Sequence, residues 1–294
     1  MDLIFSRKHL MAVLWAALFV VLFSANLAAQ SGDSELEARA ALESFLEAWN
    51  TADNDAIRDT LNYPHITHGP LRFFVANEPA QFETDFDVLR QQGWASSRFD
   101  TITPRQSSPE KVNFEVEYSR LNAAGDVISR GYVFYVVTRQ DGHWGMQYRV
   151  PGQLQADSID EPLVAVQREA IAMVDRFFVA FNSADNAALL EVNHVPQVML
   201  SAGQYILAED VGSPIVSMNF ERMRERENWH SSELGDLEIV HVTPTQVIVE
   251  LSFERFDPNG FHYLTGPAVW VLSKRNGKWG VEFRSLMSPT RHGI

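Results

Sequence analysis

The 294-residue sequence has no cysteine, which excludes disulfide bonds and thiol catalysis and leaves each folded part to be held by its own core. Positive charge is also scarce: 24 Lys and Arg stand against 38 Asp and Glu, a formal net charge of −14. Nucleic-acid binding needs a cationic footprint. The single basic cluster, "RMRER" at 222–226, sits among glutamates on a predicted helix and reads as a solvated face, so no nucleic-acid partner is expected. A GxSxG elbow, a P-loop, a dinucleotide GxGxxG and an HExxH pair are all missing. Hydrolase-triad, nucleotide and nicotinamide chemistry therefore lose their usual signatures, and no cofactor is expected.

What is present begins with a leader. "MDLIFSRKHL" supplies Arg7 and Lys8, "MAVLWAALFVVLF" is an apolar run, and "SANLAAQ" closes it in small residues, the pattern of a secretory signal peptide over residues 1–29. Cleavage is expected after Ala29, with Leu27 an imperfect residue at the third position before the cut; an uncleaved anchor is the alternative. The run of about 14 residues is short of the roughly 20 a spanning helix prefers. The expectation is a periplasmic or secreted protein with no membrane contact beyond the leader. Losing Asp2, Arg7 and Lys8 removes one negative and two positive charges, taking the chain from −14 to −15.

An internal repeat dominates the rest. "WNTADNDAIRDTLNYPHITH" (49–68) returns as "FNSADNAALLEVNHVPQVML" (181–200), pairing Asn50 with Asn182, Asp53 with Asp185, Asn54 with Asn186 and Pro64 with Pro196 at an offset of 132. After three extra residues the offset becomes 135 and holds through Trp94/Trp229, Ser97/Ser232, Arg120/Arg255, Gly131/Gly266, Trp144/Trp279 and Arg149/Arg284. Two domains follow, at 30–150 and 162–294, joined by a Pro-, Gly- and acid-bearing linker at 151–161.

Each copy reads alike. A long amphipathic helix opens on a capping box, Ser34 with Glu37, and carries an apolar stripe through Leu36, Ala40, Phe45 and Trp49. Asp53 and Asp185 stand as N-caps of a short second helix that Pro64 and Pro196 close. A strand pair, a third helix and long alternating strands complete the copy. In "VNFEVEYSRL" Val112, Phe114, Val116 and Tyr118 share one face and Asn113, Glu115 and Glu117 the other. "NAAGD", "DPNG", "QDG" and "RNG" are hairpin turns. The layout is α+β, with helices packed on one face of a curved antiparallel sheet.

That order of helix, short helix, strand pair, helix and three long strands resembles the nuclear transport factor 2-like fold, which includes ketosteroid isomerases and SnoaL-type cyclases. "FLEAWNTADNDAIRDTLNYPHI" with "GHWGMQYR", and "FFVAFNSADNAALLEVNHVPQV" with "GKWGVEFR", carry the resemblance. It spans nearly all of the chain after the leader and points to an exported branch of that family with a "YPH" strand start. It implies two tandem cone-shaped domains, each with a concave apolar pocket of the kind small molecules occupy. It also implies that the copies pair through their open sheets as a pseudo-dimer within the chain. The family hosts enzymes and non-catalytic binders on one cone, so function must come from the site.

The candidates are these. His65 and His68 lie three apart on a strand and point to opposite faces, so no metal site is expected. The resemblance places His68 nearest the isomerases' general base, where a histidine could abstract a proton alpha to a carbonyl; copy two has Leu200 there. A hydrogen-bonding strand-end histidine is the plainer reading. His65, Arg72, Trp94, Tyr118, Tyr135, Trp229 and Trp270 are candidate ligand contacts, with Trp94 and Trp229 first of all plugs at a sheet edge. Arg120 and Arg255 read as snorkelling or paired with a carboxylate. The leading expectation is a module that binds a small apolar or amphipathic ligand. The alternatives are a cofactor-independent isomerase, dehydratase or cyclase using His68, and an interaction protein with filled cones.

Overall fold

The computed structural model describes residues 32–69, 72–154, 160–201 and 204–293, without the side chain of Arg72. The leader and the middle of the linker lie outside the described residues.

The first domain starts with helix α1, residues 32–51. Its buried stripe is Ala38, Leu42 and Phe45, at the four-then-three spacing of a helix face. The expected stripe is off by part of a turn: Leu36 is 68% exposed and Ala40 is exposed. Ser34 lies inside the helix rather than at its N-cap. A long helix with several alanines offers more than one apolar stripe, and the sheet behind it selects among them. Helix α2 (Asn54–Arg58) does take Asp53 as its N-cap, through Asp55 N and Ala56 N.

Strands β1 (Leu61–Gly69) and β2 (Arg72–Ala76), helix α3 (Phe86–Gln91) and strands β3 (Ser96–Ser108), β4 (Lys111–Leu121), β5 (Val127–Gln140) and β6 (His143–Gly152) follow. The second domain repeats them as α4 (Glu161–Asn182), α5 (Asn186–Leu190), β7 (Asn193–Ser201), β8 (Gln204–Ala208), α6 (Phe220–Glu227), β9 (Ser231–Thr243), β10 (Gln246–Phe256), β11 (His262–Arg275) and β12 (Lys278–Leu286). A two-residue strand β13 (Thr290–Arg291) pairs with β11. The meander thus has four long strands in each copy, one more than the three expected.

Both sheets have one topology, β2-β1-β6-β5-β4-β3 and β8-β7-β12-β11-β10-β9. Every neighbour pair is antiparallel except β1 with β6 and β7 with β12. Pro64 and Pro196 do not close helices; each sits inside its strand on a cis peptide bond, where β1 and β7 shift register against β6 and β12. A proline has no N–H for the ladder, so such an irregularity is where a strand accommodates it.

The repeated small residues are clasps. Asn50 donates to Ser97 O (2.8 Å) and accepts from Ser97 N (2.7 Å), tying α1 to the start of β3; Asn182 does the same to Ser232 (2.8 and 2.8 Å). Asn54 and Asn186 hold Thr84 and Met218, ahead of α3 and α6, in the same two-bond manner. The Trp94 indole donates to Ser97 Oγ and the Trp229 indole to Ser232 Oγ, both at 2.9 Å, which accounts for the repeated "W-x-S-S".

Each sheet has helices on its concave face. Its other face meets the other domain. Ile66, Tyr132, Phe134, Tyr148 and Val150 pack with Val198, Leu200, Ile248, Val269 and Phe283 in one apolar cluster. Tyr148 stacks on Phe283 at 3.5 Å between centroids and Tyr132 on His241 at 3.9 Å. Gly152 lets the backbone pass there, since a Cβ on it would lie 2.7 Å from His241 Nε2. Polar groups cross this seam too: Arg105 pairs with Glu250 (2.9 Å) and Glu238 (2.6 Å), and the Lys111 ammonium donates to Leu200 O (3.0 Å) and Leu286 O (2.7 Å). Burial pushes the Lys111 amine down to about 7.

Candidate functional site

Each cone encloses a cavity between its long helix and the concave side of its sheet, of about 240 Å³ in the first domain and about 280 Å³ in the second. The two linings share a common set of positions, among them Phe45 with Phe177, Trp49 with Phe181, Tyr118 with Phe253, Arg120 with Arg255, Tyr135 with Trp270, and Arg149 with Arg284; Met199, Ile206, Pro214, Ile215 and Met218 line the second cavity alone. Both volumes fall just below the roughly 300–1,000 Å³ usual for small-molecule sites.

The aromatic walls are set by repeated glycines. A Cβ on Gly131 would lie 2.5 Å from the Tyr118 ring, and one on Gly266 would lie 2.2 Å from the Phe253 ring. Each ring lies flat across the neighbouring strand because that strand has no side chain there. Phe177 meets Trp270 edge-on at 4.7 Å, and Phe45 meets Tyr135 edge-on at 6.2 Å.

The polar content of both linings is dominated by arginine, and among their described residues there is no Asp, Glu or His. Arg149 donates from Nε to Thr67 Oγ1 at 2.9 Å and lies over the Trp49 and Phe82 rings. Arg284 is 7% exposed; its Nη2 donates to Gln197 Oε1 (3.0 Å) and to Ile215 O (2.5 Å). Burial lowers both, Arg284 to about 10, which still leaves it charged at neutral pH. Arg255 pairs with Glu227 of α6, as expected for that position, and lies over Phe253. Arg120 has no ion pair among the described residues and packs beside Tyr118.

Of the candidates, Tyr118, Tyr135 and Trp270 line cavities. Trp94 and Trp229 line neither; they fill the core where helix gives way to strand, with their N–H groups satisfied by serine. His65 faces the cone side but is sealed off from the cavity. Its Nδ1 bonds Met146 O at 3.0 Å, its ring meets Phe82, and burial together with the Arg149 charge lowers it to about 3. The Arg72 side chain lies outside the described residues.

His68 does not face the cone. Ile66 and His68 share the seam side of β1, while His65 points to the other side, as strand alternation requires. Its Nε2 lies 2.8 Å from Glu282 of the second domain and its Nδ1 2.6 Å from the Tyr148 hydroxyl. Burial and the Arg275 guanidinium hold the ring well below its ordinary value, so it is neutral: Nε2–H donates to Glu282, and Tyr148 O–H donates to Nδ1. Arg275 also pairs with Glu282. The residues standing at the equivalent positions in the other half are Leu200, Gln147 and Gln140.

Arg149 and Arg284 were not among the sequence-derived site candidates, although they form a repeated pair. A charge recurring in the same place on an otherwise apolar strand is the signal that marks them.

Residues 34–151 match the family described as NTF2-like protein (DUF6841). The match takes in the first of the two α+β halves, and the second half repeats its strand order. It is similar to an NTF2-like protein of unknown function from Shewanella oneidensis MR-1, with 11% identity over 42% of this chain and 99% of that one, at a TM-score of 0.35. It is similar to an NTF2-like superfamily protein from Salmonella enterica serovar Typhimurium LT2 (18% identity, 45% and 96% covered, TM-score 0.34). A ketosteroid isomerase-like protein from Erwinia carotovora atroseptica is similar at 16% identity, with 46% and 100% covered and a TM-score of 0.33. No protein of curated function matches the chain.

Proposed function

We propose that this is an exported binding module whose cones enclose small, largely apolar molecules. The observation that carries the reading is that both copies keep an open, aromatic-walled cavity at equivalent positions, with no carboxylate or histidine among the described lining residues. Such a wall can hold and orient a ligand and offers no general base of the usual kind. His68, the residue an isomerase reading needs in the first cone, is engaged between the sheets by Glu282 and Tyr148. The leader supports a place outside the cytoplasm.

The test is native mass spectrometry of the chain purified from the envelope or medium of its own cells. A polypeptide beginning at Gln30 is expected, with an added mass of one or two small molecules that is lost on denaturation. A chain of bare mass in both states would contradict the binding reading, and one still carrying residues 1–29 would contradict export by cleavage.

A further inference from the structure

We propose that the second cone takes an amphipathic carboxylate, an anion at one end and apolar over the rest, with Arg284 holding the charge. This names the ligand class of the binding site proposed above and rests on that reading.

Among the described residues eleven buried side-chain nitrogen and oxygen atoms have no hydrogen-bond partner, and three of them are N–H donors of residues lining this one cavity: Arg255 Nε, Trp270 Nε1 and Arg284 Nε. An unsatisfied buried donor is costly, and the cost rises when the group is charged. Three donors together define a site short of acceptors. Arg284 forms no ion pair among the described residues, although the chain as a whole has a formal charge of −14 and carboxylates abound on it. A cation kept apart from them, behind phenylalanine and methionine walls, is in the place where an incoming anion would meet the least competition from water.

The first cone is the internal control. There the equivalent arginine, Arg149, has its Nε satisfied by Thr67 Oγ1 at 2.9 Å. The residue at the position of Thr67 in the second copy is Met199, which lines the cavity and carries no oxygen. One substitution between the copies thus removes the acceptor and leaves the Nε donor open, while Nη2 stays engaged with Gln197 and Ile215. A carboxylate oxygen can accept from that Nε in a charge-assisted hydrogen bond. The cavity of about 280 Å³ suits a body of short-chain or single-ring size.

The experiment is calorimetric titration of the full chain with two matched pairs, hexanoate against hexanamide and 3-phenylpropanoate against 3-phenylpropanamide. Each acid is expected to bind about tenfold or more tightly than its amide, as a charged hydrogen bond would give. Met199→Thr, which offers Arg284 an internal acceptor and leaves the charge in place, is expected to bring the acid most of the way to the amide. Arg284→Met is expected to abolish the preference, and because that variant removes a buried residue, the wild-type comparison and Met199→Thr stand without it. Equal affinity for acid and amide overturns the carboxylate assignment and leaves the binding reading intact. If no member of either pair binds at millimolar concentration, the assignment also falls, and the co-purification measurement then decides the binding reading separately.

Discussion

The two domains agree where they could be expected to diverge and diverge where they meet. Their cones share clasps, glycine-backed aromatic walls and a buried arginine in the same place. Their contributions to the seam do not match: His68, Glu282, Arg275 and Lys111 form polar contacts whose equivalents are Leu200, Gln147, Gln140 and Gln246. A homodimer would have to place each interface residue twice. A duplicated chain is free to make the two halves of a contact different. Within "PHITH" and "PQVML", the His68/Leu200 difference therefore belongs to the seam, while the Thr67/Met199 difference belongs to the cones.

The largest effect should be acid sensitivity, carried by His68 and His241 in the seam and by His65 on the cone side. His65, His68 and His241 are lowered in the folded chain, to about 3, 3 and 4, chiefly by burial. Each folded pKa lies below its unfolded value, so the unfolded chain binds protons first as pH falls. Stability is complete above the unfolded pKa and is lost between about pH 6.5 and 4, at roughly 1.4 kcal/mol per pH unit for each histidine. Urea midpoints across that range would check this, and His68→Leu should remove about one histidine's share of the slope. A flat profile would show that these three histidines are not buried as described.

Next in size are the glycines. Gly131→Ala and Gly266→Ala should each cost about 1–3 kcal/mol by pushing the Tyr118 or Phe253 ring off its strand. Chemical denaturation should return similar losses for the two, and a clear inequality would break the equivalence of the cones. Asn50→Ala and Asn182→Ala remove two bonds apiece and should each cost on the order of 1–2 kcal/mol, again nearly equally. The smallest difference concerns the caps. Asp53 accepts from two backbone N–H groups and Asp185 from one, so Asp53→Ala should lose about 1 kcal/mol and Asp185→Ala somewhat less by thermal unfolding.

Most of the fold was legible in the sequence because it was written twice: a pairing such as Asn50/Asn182 or Gly131/Gly266 survives only where the same backbone task recurs. The alternation in β4 correctly separated Val112, Phe114 and Val116 from Asn113 and Glu115, since that strand has one apolar face. It gave no such help in β5 and β6, where both faces are buried, one in the cone and one in the seam. That is why His68 could be placed on the wrong side, and why Arg149 and Arg284 passed as ordinary strand residues. Parity along β1 runs unbroken through Pro64, with Leu61, Tyr63 and His65 toward the cone and Ile66 and His68 toward the seam; which of the two faces is the cone is what reading the letters alone does not reveal.

The most direct test of the claim that His68 serves the seam is a double-mutant cycle with His68→Leu and Glu282→Gln, which together copy the Leu200 and Gln147 of the other half. His68→Leu leaves Glu282 and the Tyr148 hydroxyl each without one partner, and Glu282→Gln leaves Arg275 and His68 facing a neutral group. Each single change is expected to cost about 1–3 kcal/mol in urea unfolding. The double variant is expected to lose less than the sum of the two by about 1 kcal/mol or more. Strictly additive losses would contradict the assignment of His68 to the contact between the domains.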